Sequence, residues 1–189
     1  MMNEREKYER MYDIEEYRQS SPGASMVGGF MDKHLRGKST VSIYGCGPGR
    51  CGLKLYNAGH TVRMIDIAYN ALDNRVREHL SAPEFEFYCT NLVNMDRVPV
   101  SQYGFCVDVM EHIPTHQVGD VLQMIRMKTE RLVYFHISGR PDGCGKLIGE
   151  TLHMTVKSAD WWDGALNCFW KKIKRITFGQ EAYLFTAEA

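Results

Sequence analysis

The chain has 189 residues, enough for one domain with a substantial core, and its 44% apolar, 24% charged and 11% aromatic residues are ordinary globular proportions. Lysine plus arginine equal aspartate plus glutamate at 23 each, so global charge gives no argument for a nucleic-acid partner. No apolar run approaches the roughly 20 residues of a membrane span, and the polar opening MMNEREKYER does not read as a signal peptide. Cys46, Cys51, Cys89, Cys106, Cys144 and Cys168 form no C-x-x-C pair, and no histidine pair completes a zinc set. Several of them sit in apolar strand patterns, so they read as reduced core residues of a cytoplasmic protein, with no metal expected.

In chain order, residues 3–18 place Tyr8, Met11, Tyr12 and Glu15 at helical spacing and predict a half-amphipathic helix, broken by SSPGAS at Ser20–Ser25. MVGGFMDKHL leads into the core. An alternation of strands and helices then begins. TVSIYG is a strand and RCGLKLYNAG a helix ended by Gly59. HTVRMID is a second strand; ALDNRVREHL is a helix with Leu72, Val76 and Leu80 on one face. EFEFYC and YGFCVD are strands three and four. HQVGDVLQMI spaces Val118, Val121, Leu122 and Ile125 as a helix stripe, and RLVYFHIS is strand five. SADWWDGALNCFW is helical with Ser158 as N-cap, and KKIKRITF and EAYLFTA form an antiparallel hairpin joined at Gly179-Gln180. The pattern predicts an α/β fold: a mostly parallel sheet with helices on both faces, an antiparallel C-terminal hairpin, and ligands at the carboxyl ends of the strands.

The segment VSIYGCGPGRCG (Val41–Gly52) drives strand one into a glycine-rich turn. A phosphate-binding loop would end in Gly-Lys-Ser/Thr, which GRCG does not supply. Gly47-Pro-Gly49-Arg-Cys-Gly52 fits the dinucleotide pattern, with Asp66 roughly 20 residues on, the usual place of a ribose-binding acid. The other register, Gly45-Cys-Gly47-Pro-Gly49, fits the glycine loop of methyltransferases that use S-adenosylmethionine. Both cofactors carry an adenosine ribose, so Asp66 does not choose between them.

CVDVMEHIP (Cys106–Pro114) puts an acid-rich turn after strand four. There the chain resembles class I S-adenosylmethionine-dependent methyltransferases, in which D-V-L-E-H-I-P at this point is a frequent signature. The stretch DGCGKLIGETLHMTV and the following WW resemble small methyltransferase-like proteins of tailed phages, and the resemblance covers most of the chain. It implies a Rossmann-like fold with strand order 3-2-1-4-5-7-6. Gly45, Gly47 and Gly49 would then let the backbone approach the methionine part of the cofactor. Asp66, with Ile67, would bind the ribose diol. Asn91, with Leu92, would read adenine, an amide oxygen accepting from the adenine amino group. Asp108 and Val109 would line the floor beside adenine and sulfonium. The acid that the family usually carries two residues before the first glycine is here Ile43. The implied layout is one methyltransferase domain over 1–189, with 1–38 covering the cofactor and 139–157 forming a substrate loop.

Methyl transfer is an in-line displacement, so alignment and a dry site carry most of the catalysis. The substrate-facing candidates are Glu150, His153 and Thr155 in the loop after strand five, then Trp161 and Trp162. His153 and Glu150 are the catalytic candidates, an imidazole titrating near neutrality; the plainer role for His153 is to tie the loop to the sheet. His112 reads as a turn-shaping residue and His136 as a satisfied core histidine. Adjacent tryptophans on a helix point about 100° apart, so one belongs to the core. Gly143, Gly145 and Gly149 suit a loop that moves. Tyr8, Tyr12, Tyr17 and Met26 either shield the sulfonium or form a packing stripe. Lys171–Arg175 reads as a solvated edge strand. The motifs of amino-methylating and cytosine-C5 DNA enzymes are absent, which leaves a small-molecule or nucleotide acceptor. The alternatives are a nucleic-acid or protein methyltransferase, and a cofactor-binding protein without turnover, which Ile43 makes thinkable.

Overall fold

The structure is a computed structural model that describes residues 3–178 and 181–188. Its seven strands are β1 (Thr40–Tyr44), β2 (Thr61–Asp66), β3 (Phe85–Cys89), β4 (Ser101–Val107), β5 (Thr129–Ser138), β6 (Lys172–Phe178) and β7 (Ala182–Glu188). They lie in one sheet in the order β3-β2-β1-β4-β5-β7-β6. The first five pair in parallel, and β7 runs antiparallel between β5 and β6. This is the expected fold and order. The hairpin turn expected at Gly179-Gln180 lies outside the described residues.

A parallel sheet covered on both faces needs strands apolar on both sides. Accordingly Val41, Ile43 and Tyr44 are all buried, and the polar member, Ser42, bonds Ser101 Oγ at 2.8 Å. One face packs on α3 (Pro22–His34) and α4 (Arg50–Asn57) through Val27, Phe30, Leu55 and Met64. The other packs on α6 (Val118–Met127) and α7 (Ala159–Asn167) through Leu122, Ile125, Trp162 and Phe135. The predicted α6 stripe is wholly buried, and Ser158 caps α7 by accepting from Trp161 N–H.

Three expectations need correction. The helix over 3–18 is two, α1 (Glu4–Tyr12) and α2 (Glu15–Gln19); an Asn3–Glu6 capping box starts the first. The break expected over Ser20–Ser25 is confined to Ser20 and Ser21, where α2 ends; Pro22–Ser25 already belong to α3, because Pro22 sits in the first turn, where its missing N–H has no intrahelical partner to lose. The helix expected over ALDNRVREHL shrinks to a 3₁₀ turn at Tyr69–Ala71 and α5 (Asn74–Arg77). There guanidinium groups satisfy carbonyls that a helix would have used. Arg18 donates to Asn70 O and Ala71 O, and Arg77 to Tyr69 O and Leu72 O. Leu72 and Val76 are still buried.

All six cysteines are free; Cys46, Cys51 and Cys106 are buried as expected, whereas Cys144 and Cys168 are exposed. No helix among the described residues is long and apolar enough to cross a membrane.

Candidate functional site

The turn after β1 is left-handed at Gly45, Gly47 and Gly49, with φ of 70°, 53° and 78°. A Cβ on Gly45 would overlap the Val109 side chain, and one on Gly47 would lie 2.9 Å from Tyr12 Oη. Asp66, at the tip of β2, closes the turn: Gly47 N–H donates to its Oδ2 at 2.8 Å and Ala68 N–H to its Oδ1 at 3.0 Å. Burial pushes the Asp66 carboxyl above its usual range, opposed by those N–H donors.

Two adjoining cavities meet at this turn. The smaller, of about 110 Å³, is lined by Gly45, Asp66, Ile67, Asn91, Leu92, Asp108 and Val109, seven of the nine residues predicted for the cofactor. Gly47 lines the larger cavity, of about 790 Å³. Gly49 lines neither, because its α-carbon faces Val76 and Leu72; it packs the start of α4 against the core. The Asn91 oxygen accepts from Val93 N–H at 3.1 Å, so its amide also presents N–H donors for a ligand.

The amino-terminal segment roofs the smaller cavity with Tyr8, Tyr12 and Tyr17. Tyr12 and Tyr17 meet edge to face, and burial raises the pKa of all three hydroxyls. Arg18 donates to Tyr12 O as well as to the loop after β2, and Arg50 bonds Asp73, Arg18 O and Gln19 O. These bonds bolt the roof to the glycine turn. Met26 is not part of it: it sits on α3 and packs against the core.

The wall between the cavities carries the titratable groups. Asp108 is the one non-glycine residue at positive φ (52°) among those described, and its Oδ1 lies 2.5 Å from His136 Nδ1. His136 is therefore satisfied, as expected, but at the carboxyl end of β5 it lines the larger cavity rather than the core. Glu111, which the sequence reading did not single out, is fully buried; its Oε1 accepts from Ser138 N–H at 3.0 Å and its Oε2 has no partner. Burial, then the Asp108 charge, pushes the Glu111 carboxyl up to about 8. His112 lines both cavities and lies 2.8 Å from Tyr8 Oη through Nδ1. Its pKa is lowered to about 4 by burial and then by His153, against Asp108, Asp142 and the Leu152 backbone. The two imidazoles meet edge to face, with centroids 4.7 Å apart.

His153 reaches this wall because Asp142 folds the loop over 139–157. The Asp142 carboxylate accepts from the N–H groups of Cys144, Gly145 and Leu152. Burial would raise its pKa, but these three donors together hold it below the usual carboxylate value. His153 Nδ1 then bonds Arg140 O at 2.7 Å, and buried Thr155 bonds Thr115 and Ile113 O. The loop expected to move is thus tied internally. Glu150 is exposed and lies on neither cavity wall. Of the tryptophans, Trp162 is core; Trp161 is half-buried and packs on it, on neither cavity wall. In the Lys171–Arg175 strand, Lys172 pairs with Glu188, and Arg175 with Asp160 and Asp163.

No family model matches the chain, and no curated protein matches it in sequence. Solved structures share its fold. Magnesium protoporphyrin IX methyltransferase from Synechocystis PCC 6803, with bound S-adenosylhomocysteine, aligns over 100% of this chain and 88% of its own, at TM-score 0.64 and 17% identity. The N-methyltransferase NodS from Bradyrhizobium japonicum WM9, also with S-adenosylhomocysteine, aligns over 99% and 98%, at 0.69 and 13%. The Burkholderia thailandensis 1,6-didemethyltoxoflavin-N1-methyltransferase aligns over 94% and 83%, at 0.70 and 15%.

Proposed function

We propose that the chain is an S-adenosylmethionine-dependent methyltransferase acting on a small-molecule acceptor, a nucleotide included. One observation carries this reading: residues from the turns after β1, β2, β3 and β4, expected at an adenosyl cofactor, line one cavity beside Asp66. The shared fold with methyltransferases holding S-adenosylmethionine or its product supports it. The closer, phage-type assignment and a cytoplasmic setting belong to the same reading; DGCGKLIGETLHMTV and the free cysteines support them.

Asp66 keeps carboxylate lone pairs for a ribose diol, and Asn91 faces the adenine. Residues 1–38 supply the aromatic roof that excludes water, and 139–157 form the acceptor side. When bound, the cofactor supplies a methyl group on positively charged sulfur. The chain's task is then to hold an acceptor atom in line within the larger cavity. Asp108, Asp142 and Glu181 line that cavity against the single guanidinium of Arg140, a balance that favours an uncharged or basic acceptor over a polyanion. The same carboxylates can meet the cofactor's amino group, where Ile43, 2% exposed, offers only an apolar wall. That wall favours, as second reading, a cofactor-binding protein without turnover.

Calorimetric titration with S-adenosylmethionine and S-adenosylhomocysteine tests the reading. The native chain binds both, and Asn91→Ala and Asp66→Asn bind more weakly; binding of neither overturns it, as does a thermal shift with a nicotinamide dinucleotide alone. Methyl label passing to a metabolite extract, undiminished by nuclease, supports the small-molecule acceptor. Label entering polymer, or no transfer at all, favours one of the alternatives.

A further inference from the structure

Glu111, His112 and His153 converge on the wall of the larger cavity, each bringing one metal-ligating atom within 4.8 Å of the other two. Glu111 and His112 come from a 3₁₀ turn after β4, Met110–His112, and His153 from the loop after β5. Each is held from behind. Ser138 N–H fixes Glu111 Oε1, Tyr8 Oη meets His112 Nδ1, and Arg140 O takes the Nδ1–H of His153. That arrangement leaves Nε2 of His153 for a ligand, in the way outer contacts orient metal-binding imidazoles, while the His112 ring is also held by the Leu152 backbone.

We propose that Glu111, His112 and His153 form a binding site for a divalent first-row transition cation. Two imidazoles and one carboxylate make a ligand set suited to Zn²⁺ and its neighbours, and three protein ligands leave coordination positions open toward the cavity. Glu111 Oε2 is the independent pointer: an oxygen of a wholly buried carboxylate with no partner is one that a cation would satisfy. The surroundings agree in charge, since Asp108, Asp142 and Glu181 share the cavity wall with Arg140 as its one fixed cation. A cation here would also join the end of β4 to the long loop. The site goes beyond the methyl-transfer reading and stands without it.

The test uses the full chain freed of metal by chelator and titrated with CoCl₂, then ZnCl₂. One equivalent of Co²⁺ is expected to give visible absorption bands that Zn²⁺ abolishes. Its affinity should fall by about tenfold or more in His153→Ala and Glu111→Gln, and amide exchange over 139–157 should slow when Co²⁺ is present. Absence of stoichiometric binding overturns the site, as does binding undiminished in the variants, which marks an accessible imidazole such as His116. Should Glu111→Gln fail to fold, His153→Ala and His153→Gln, on an outer loop, decide alone. S-adenosylhomocysteine titrated into the same samples separates the two proposals: metal without nucleoside binding leaves this site standing and removes the methyl-transfer reading, and the converse does the opposite.

Discussion

The turn after β1 and the loop after β5 face each other across the larger cavity and are built by opposite means. In the turn, backbone does the work: left-handed glycines and N–H groups closed by Asp66 leave no room for side chains. In the loop, side chains do it: Asp142 gathers three backbone donors and His153 is pinned to Arg140 O. Backbone construction tolerates no added atom, whereas side-chain construction tolerates atoms but not lost charge.

Single substitutions break or sharpen this contrast. The largest effect belongs to Gly45→Ala, where left-handed backbone and overlap with Val109 coincide. A loss of about 3 kcal/mol is expected, read as a fall of about 10 °C in Tm, together with loss of S-adenosylhomocysteine binding by calorimetry. Asp142→Ala, which strands three N–H donors, should cost about 2 kcal/mol and speed amide exchange across 139–157. Asp142 also gives the loop a pH dependence. Its folded carboxyl ionises below the ordinary 3.8, so its stabilisation is present above that value and is lost as pH falls through the folded pKa. Denaturant titrations of the wild type and Asp142→Asn should therefore differ at pH 6 and converge in acid. Gly149→Ala is the control for glycines: φ is +72° but nothing lies within 4 Å, so only backbone strain of about 1 kcal/mol is expected. If it matches Gly45→Ala, crowding is not what distinguishes the turn. Smallest is Tyr8→Phe, which removes the hydroxyl beside His112 at about 0.5 kcal/mol, measured by thermal melt.

The same contrast decides what was legible in the sequence. Strand order, and a cavity beside Asp66 lined by most of the expected residues, were readable because glycine spacing and an acid at the end of a strand are backbone requirements, written locally. Gly49 stands apart from the cavities because a left-handed glycine at a helix start serves packing as well as ligand approach. Glu111 stands in full view within VMEHIP, yet nothing local says that its carboxylate is buried or that His153, some forty residues on, turns back to meet it. The lost helix over ALDNRVREHL has a similar cause: the guanidinium that replaces its hydrogen bonds at Asn70 and Ala71 comes from Arg18.

That guanidinium has a kinetic consequence. Arg18 holds Tyr12 O, Asn70 O and Ala71 O at once, beneath the tyrosines that close the smaller cavity. On the proposed reading, a nucleoside seated there would meet a roof that moves only when those three carbonyls are released. Residence time would then be a property of the lid's hinge rather than of the contacts below it, and affinity and off-rate could be tuned separately at one residue.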